Sequence, residues 1–261
     1  MHISFDLYPS YLRSFSSAII PDRASRLCYD IHAMRNYSYR NEGGRRVGPF
    51  PQVRPEGSLE ISSSTAKGST GNKQMIVHHS REWSTWTEQE PASKQDIKAQ
   101  IHYADDAIGT LQTWQMSYES IPILPVKSYR YDKLGPMQKH GRLKDGMIEL
   151  TAANEGLPPM KLSSTNPLTS LYTLIERFQS KKTPSTIVDY LDDLTMLRPG
   201  LEITPLPDGK VEIEGSLADV HGFALVGPAT LPLYIWMDVH SNVLAVIGRN
   251  VAYTLTEAKN V

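Results

Sequence analysis

Cysteine, net charge and long apolar runs are what this sequence has least of. One of its 261 residues is a cysteine, Cys28, which excludes an intramolecular disulfide and leaves the redox compartment open. Lys and Arg number 27 against 28 Asp and Glu, a net charge of -1. So balanced a chain lacks the basic surplus that binding to a phosphate backbone requires, and no nucleic-acid partner is expected. The longest apolar runs, residues 233–237 and 243–247, have five residues each, whereas a helical membrane span needs about 20. No membrane span is expected. Residues 1–27 are broken by Asp6, Pro9 and Arg13 where a secretory leader would carry an apolar core of roughly 7–15 residues. As written, this predicts a cytoplasmic protein; an upstream start or a removed leader would make it periplasmic or secreted.

Several catalytic signatures are missing as well. There is no Gly-x-Ser-x-Gly elbow and no repeat at a period of 20–50 residues. The glycine-rich stretches Gly43-Gly44-Arg45-Arg46 and residues 68–73 (GSTGNK) lack the strand–loop–helix setting of a phosphate loop. His32, His102, His140 and His221 stand at no metal-ligand spacing from a cysteine, histidine or carboxylate cluster. No metal and no cofactor are expected.

What is present is a period of two. Residues 73–83 (KQMIVHHSREW) and 95–103 (QDIKAQIHY) alternate, the second placing Ile97, Ala99, Ile101 and Tyr103 on one face. Residues 110–120 (TLQTWQMSYES) continue the pattern, with Leu111 on one side of the pleat and Trp114, Met116 and Tyr118 on the other. Further strands are read at 147–153, 201–204, 211–213, 233–238, 243–247 and 252–256. Turns are read at Lys144-Asp145-Gly146 and Pro207-Asp208-Gly209. One helix is expected at 167–179, capped by Asn166, with Leu168, Leu171, Tyr172, Ile175 and Phe178 along one stripe. Residues 185–197 fit strand or helix; Pro184 and Arg198-Pro199-Gly200 bracket them tightly, which favours strand. Residues 41–57 and 62–71 read as loops. The expected fold class is mainly β with minor α: a large curved antiparallel sheet or open barrel packing one or two helices. Residues 1–57 are expected to be an irregular N-terminal segment, and 58–261 a single domain.

The polar candidates mostly read as turns and solvated faces. Asp238 and His240 would share a strand face as an acid/base pair, but DVHSN between two apolar strands reads as a hairpin turn. Asp105-Asp106 likewise reads as a turn, and Asp192-Asp193, alternating with leucines, as an exposed edge or face. Cys28 and His32 would pair as thiolate and imidazolium only on a helix. His78 and His79, adjacent on a strand, face opposite ways and cannot chelate one ion. The tryptophans and tyrosines lie mostly on strands, where they line either a core or a concave apolar pocket.

The long antiparallel sheet interrupted by a helix, with segments TLQTWQMSYES and RLKDGMIELTA, resembles bacterial envelope proteins of the lipoprotein-carrier (LolA/LolB-like) fold. Residues 231–257 also look like the closing strands of uncharacterised secreted bacterial proteins, with Pro232, Tyr234, Trp236 and Asp238 as a Pro-x-Tyr-x-Trp-x-Asp strand. The resemblance spans roughly residues 58–257. It implies a highly curved sheet around a helix whose cavity takes acyl chains or other apolar groups, and it carries over no catalytic residue. The expected function is therefore a non-enzymatic binding protein with an apolar pocket for a lipid-like or other hydrophobic ligand. Its expected lining is Trp114, Met116, Tyr118, Tyr172, Phe178 and Trp236. The alternatives are a protein–protein interaction or scaffolding module, with residues 41–57 or a strand edge as the contact, and a hydrolase using Asp238, His240 or His221.

Overall fold

The computed structural model describes residues 25–33, 41–42, 45–46, 56–65, 72–84, 91–122, 134–153, 158–178, 186–213, 216–228, 230–240, 242–248 and 251–260. In chain order the strands are β1 (Arg26–Ala33), β2 (Asn41–Glu42), β3 (Arg45–Arg46), β4 (Gly57–Thr65), β5 (Asn72–Ser84), β6 (Pro91–Ala104), β7 (Leu111–Pro122), β8 (Leu134–Lys144) and β9 (Met147–Ala152). There follow β10 (Met160–Ser163), β11 (Leu168–Thr169), a helix α1 (Leu171–Phe178), β12 (Ile187–Asp192), β13 (Met196–Pro205), β14 (Gly209–Ile213), β15 (Ser216–Gly227), β16 (Thr230–Asp238), β17 (Val243–Ile247) and β18 (Val251–Lys259). All but the β2–β3 ribbon join one large curved sheet, ordered β10-β9-β8-β7-β6-β5-β4-β1-β18-β17-β16-β15-β13-β12-β11, with β14 paired to β15.

Alternation builds its inner face. The register aligns Tyr29, Leu59, His79, Ile97 and Tyr118 in one cross-strand row, and Ile61, Val77, Ala99 and Met116 in the next. Paired residues on neighbouring strands share a face, so these rows form a continuous lining, most of it buried. Strand β1 lies inside the stretch read from sequence as irregular. Its alternation is only three residues deep, Leu27, Tyr29 and Ile31, but it pairs with β4 on one side and β18 on the other. Likewise β4 extends into the stretch read as a loop at 62–71, because Ser62–Thr65 pair with Lys73–Ile76 of β5.

Leu111 departs from its expected face. The register shifts where Tyr103 pairs with Leu111 while His102 pairs with Thr113. This inserts Gln112 as an extra residue and turns Leu111 to the buried side with Trp114. Two glycines also have a packing role. Gly141 lies opposite Trp114 and Gly222 opposite Trp236, and a Cβ on either would come within 2.4 Å of the indole. The sheet makes room there for a ring over bare backbone.

The helix is shorter than the pattern suggested. Leu168–Thr169 are extended and pair in parallel with Asp189–Tyr190 of β12, so α1 begins only at Leu171. The cap is Ser170, not Asn166: Thr173 N–H donates to Ser170 Oγ at 3.3 Å. The stripe Tyr172, Leu174 and Ile175 is buried on the sheet's inner face. Of the stretch 185–197, the described residues form strand β12 and a turn into β13, the strand alternative. The turn at Lys144-Asp145-Gly146 forms with Asp145 and Gly146 at φ of 52° and 72°. Pro207-Asp208-Gly209 does not make a hairpin: β13 and β14 both pair with β15, one after the other.

The two free edges, β10 and β11, are joined by four residues of chain, so the curved sheet returns upon itself. Asp189, fully buried on β12, holds that return. Its Oδ2 accepts from Ser164 Oγ, Thr165 N and Asn166 N at 2.9–3.1 Å. Its Oδ1 accepts from Asn166 Nδ2 and Gly200 N, both at 2.9 Å. Burial opposes the charged form, but these hydrogen bonds outweigh it and hold the carboxyl below the usual carboxylate range.

Candidate functional site

The space enclosed by sheet and helix is lined as the alternation dictates. Trp114 is 1% exposed, Met116 5% and Tyr172 2%, all in one contiguous core, with Tyr118 partly buried against it. Trp236 is also buried, but the register puts it elsewhere: Ile31 pairs with Tyr253, Tyr253 with Val246 and Val246 with Ile235. Ile235 therefore faces inward, and Trp236 is buried on the opposite face of the sheet. Phe178 ends the helix, and its side chain lies outside the described residues. Of the six lining candidates, Trp114, Met116, Tyr118 and Tyr172 therefore belong to one surface.

One end of this interior is polar, a feature the sequence reading missed. His79 continues the inward stripe Met75, Val77, His79 and Arg81 of β5. Its Nδ1 meets Tyr172 Oη at 3.1 Å, its ring stands edge-on to Tyr172 and Tyr253, and its Nε2 is buried with no partner. Burial, helped by the nearby Arg81 charge, pushes the imidazole down to about 4, so it is neutral at pH 7. Arg81 is 9% exposed and lies within electrostatic reach of Tyr253, Glu56 and Asp193. Burial raises the Tyr172, Tyr190 and Tyr253 phenols, all neutral here.

The turn from β12 to β13 closes that end. Asp193 and Leu194 both adopt left-handed backbone, at φ of 46° and 56°. Two consecutive non-glycine residues there store strain that surrounding contacts must hold. Leu194 is fully buried, and its carbonyl accepts the Trp114 indole N–H at 3.1 Å. Burial and the neighbouring Asp192 push the Asp193 carboxyl up to about 6, although the residue is exposed and water screens part of that push. Asp192 is bound by Arg198 at 2.7 Å. Asp192 thus ends β12 and Asp193, exposed as expected, opens the strained turn. At the far end of α1, Arg177 reaches Asp105 at 2.6 Å, and Lys73 lies 3.3 Å from both Asp105 and Glu176, tying the helix to β5 and to the β6–β7 turn.

The hydrolytic candidates are engaged elsewhere. Asp238 accepts from His240 N, Asn242 N and Asn242 Nδ2 at 2.8–2.9 Å, so its carboxylate builds the hairpin turn. His221 pairs with Asp208 at 2.7 Å on an exposed surface. Asp106 likewise caps its own turn, accepting from Ile108 N and Thr110 N. Cys28 and His32 lie on a strand, four residues or roughly 13 Å apart, and meet Glu257 and Thr254 respectively. Burial also pushes the Cys28 thiol up, away from a thiolate. His78 and His79 face opposite ways, His78 meeting Asp96 at 3.1 Å on the outside. Among the described residues no three His, Cys, Asp or Glu gather as a metal site, and no helix is long and apolar enough to cross a membrane.

Two hollows of about 440 and about 550 Å³ lie on the outer face of β5–β9 and share Gln100, Gln115 and His140.

No family model matches the sequence, and no curated protein matches it. A solved structure does: the β-barrel-like protein of domain of unknown function DUF1849 from Brucella abortus. It is 7% identical with a TM-score of 0.54, covering 91% of this chain and 98% of that one. At that identity the match concerns fold alone. It supports the β-rich curved-sheet class; the likeness to lipoprotein carriers stays a resemblance of sequence pattern.

Proposed function

We propose that this chain is a non-enzymatic binding protein that holds a hydrophobic ligand between the curved sheet and α1. The observation that carries this reading is the content of the enclosed space. Among the described residues, an apolar lining surrounds a two-turn helix and a strained turn whose Leu194 is pinned by Trp114. Such a turn is a poor permanent plug, because its backbone strain favours release once a ligand supplies equivalent contacts. In this reading Trp114, Met116, Tyr118 and Tyr172 contact the ligand through apolar burial worth about 25 cal/mol per Å², less the ordering costs of association. The polar end at His79, Arg81 and Tyr253 sets how far a ligand penetrates.

A fluorescent polyene fatty acid tests the reading by titration. Saturable emission is expected, with Trp114→Ala weakening it by about tenfold or more while the outward Ile76→Ala leaves it unchanged. If Trp114→Ala only lowers the melting temperature, with uptake of the folded variant unaffected, Trp114 is a plain core residue and the reading falls.

A further inference from the structure

The outer face of β5–β9 is built differently from the inner one. The register sets three parallel cross-strand rows there. Ile76, Gln100, Gln115, His140 and Thr151 form the first, His78, Lys98, Ser117 and Gln138 the second, and His102, Thr113, Arg142 and Glu149 the third. Both hollows lie over these rows, and their shared residues make them one trough. Its volume falls within the range of small-molecule sites.

The lining chemistry narrows the occupant. Within these three rows Arg142 pairs with Glu149, and His78 with Asp96 of the adjoining row, leaving Lys98 as the surplus. Three glutamine amides, three hydroxyls and the imidazoles of His102 and His140 remain, groups that both donate and accept hydrogen bonds. Ile76 is the one large exposed apolar side chain of these rows. An anionic or nucleic-acid ligand would call for a basic lining, and an apolar one for an apolar lining. A neutral, extended molecule carrying many hydroxyls matches both the balance and the repeat of donors at strand spacing, about 4.8 Å.

We infer that this trough is an oligosaccharide-binding face, separate from the enclosed space and independent of what that space holds. Amides and imidazoles of Gln100, Gln115, Gln138 and His140 exchange paired hydrogen bonds with sugar hydroxyls, while Ile76 takes a pyranose edge.

The test is amide-resolved NMR of the full chain titrated with a neutral hexasaccharide of β-1,4-linked N-acetylglucosamine, and separately with a neutral capped decapeptide. The inference predicts saturable shifts for the saccharide, centred on residues 98–102, 113–117 and 138–142 and unaltered by added salt. It also predicts about tenfold weaker binding in the Gln100→Ala, Gln115→Ala double variant, two hydrogen-bonding partners having gone. These side chains are exposed, so melting should not change; if that variant fails to fold, the wild-type shift map decides. Absence of saturable saccharide binding overturns the inference. So does binding abolished by salt, shifts mapping away from the trough, or preference for the peptide, which would make this a protein-docking face.

Discussion

Asp189 accepts five hydrogen bonds from groups on both sides of the place where the sheet returns upon itself. Truncation to alanine leaves without a partner the buried Ser164 hydroxyl and the part-buried N–H groups it serves. Asp189→Ala should therefore cost at least about 3 kcal/mol, read as a lowered denaturant midpoint. Its carboxyl is depressed in the folded state, so its contribution is complete above the ordinary aspartate value near 3.9 and disappears as pH falls through the lower folded value. Asp189→Asn should flatten the acid limb of the stability curve below about pH 4. His79 acts at higher pH and through the neutral form. Its folded value of about 4 lies below the unfolded value near 6.5. The unfolded chain therefore binds the extra proton, and stability falls as pH drops from 6.5 toward 4. The difference is worth about 3 kcal/mol, and His79→Gln should remove that slope in pH-resolved denaturation. Asp193 pulls the other way over part of the same window, since its raised folded value gains stability as pH falls through about 6.

At the scale of elements, strands explain more than the helix does. The pairing of Gly141 with Trp114 and Gly222 with Trp236 predicts that Gly141→Ala and Gly222→Ala each destabilise by about 1–3 kcal/mol through indole displacement. Calorimetry of the two variants would check this. Helix α1 is too short to persist alone. Ser170→Ala should cost about 1 kcal/mol through the lost cap. Alternation made the inward stripes of β5, β6 and β7 legible in the sequence, because half-buried strands write their period directly into side-chain choice. Three things were illegible. The Gln112 bulge turned Leu111 over, since a bulge leaves no compositional mark in TLQTWQ. The parallel pairing of Leu168–Thr169 took two residues from a good helical pattern, a tertiary contact overriding propensity. Trp236 changed face because parity along β16 depends on registers across several strands. The polar end was partly legible: His79 and Arg81 lie in phase with Met75 and Val77, but their meeting with Tyr172, Tyr253 and the Asp193 turn joins residues more than 90 positions apart.

Among the described residues, all strands but the β2–β3 ribbon form one sheet that curls until the chain itself bridges its two edges, with a helix and a strained turn on the inside. That closure leaves two surfaces of opposite character, an apolar interior with a polar end and an outer trough of amides and imidazoles. In the function proposed above the ligand is met by those surfaces, and a fold by itself assigns no function; the matched structure shares the fold at 7% identity. The central claim is that the interior accepts an apolar molecule in place of part of its plug. Native mass spectrometry of the detergent-free protein, followed by solvent extraction, tests it most directly. The account predicts a discrete added mass that extracts as an apolar compound and is lost from Trp114→Ala. The bare chain mass, both as purified and after incubation with long-chain fatty acids, would contradict it.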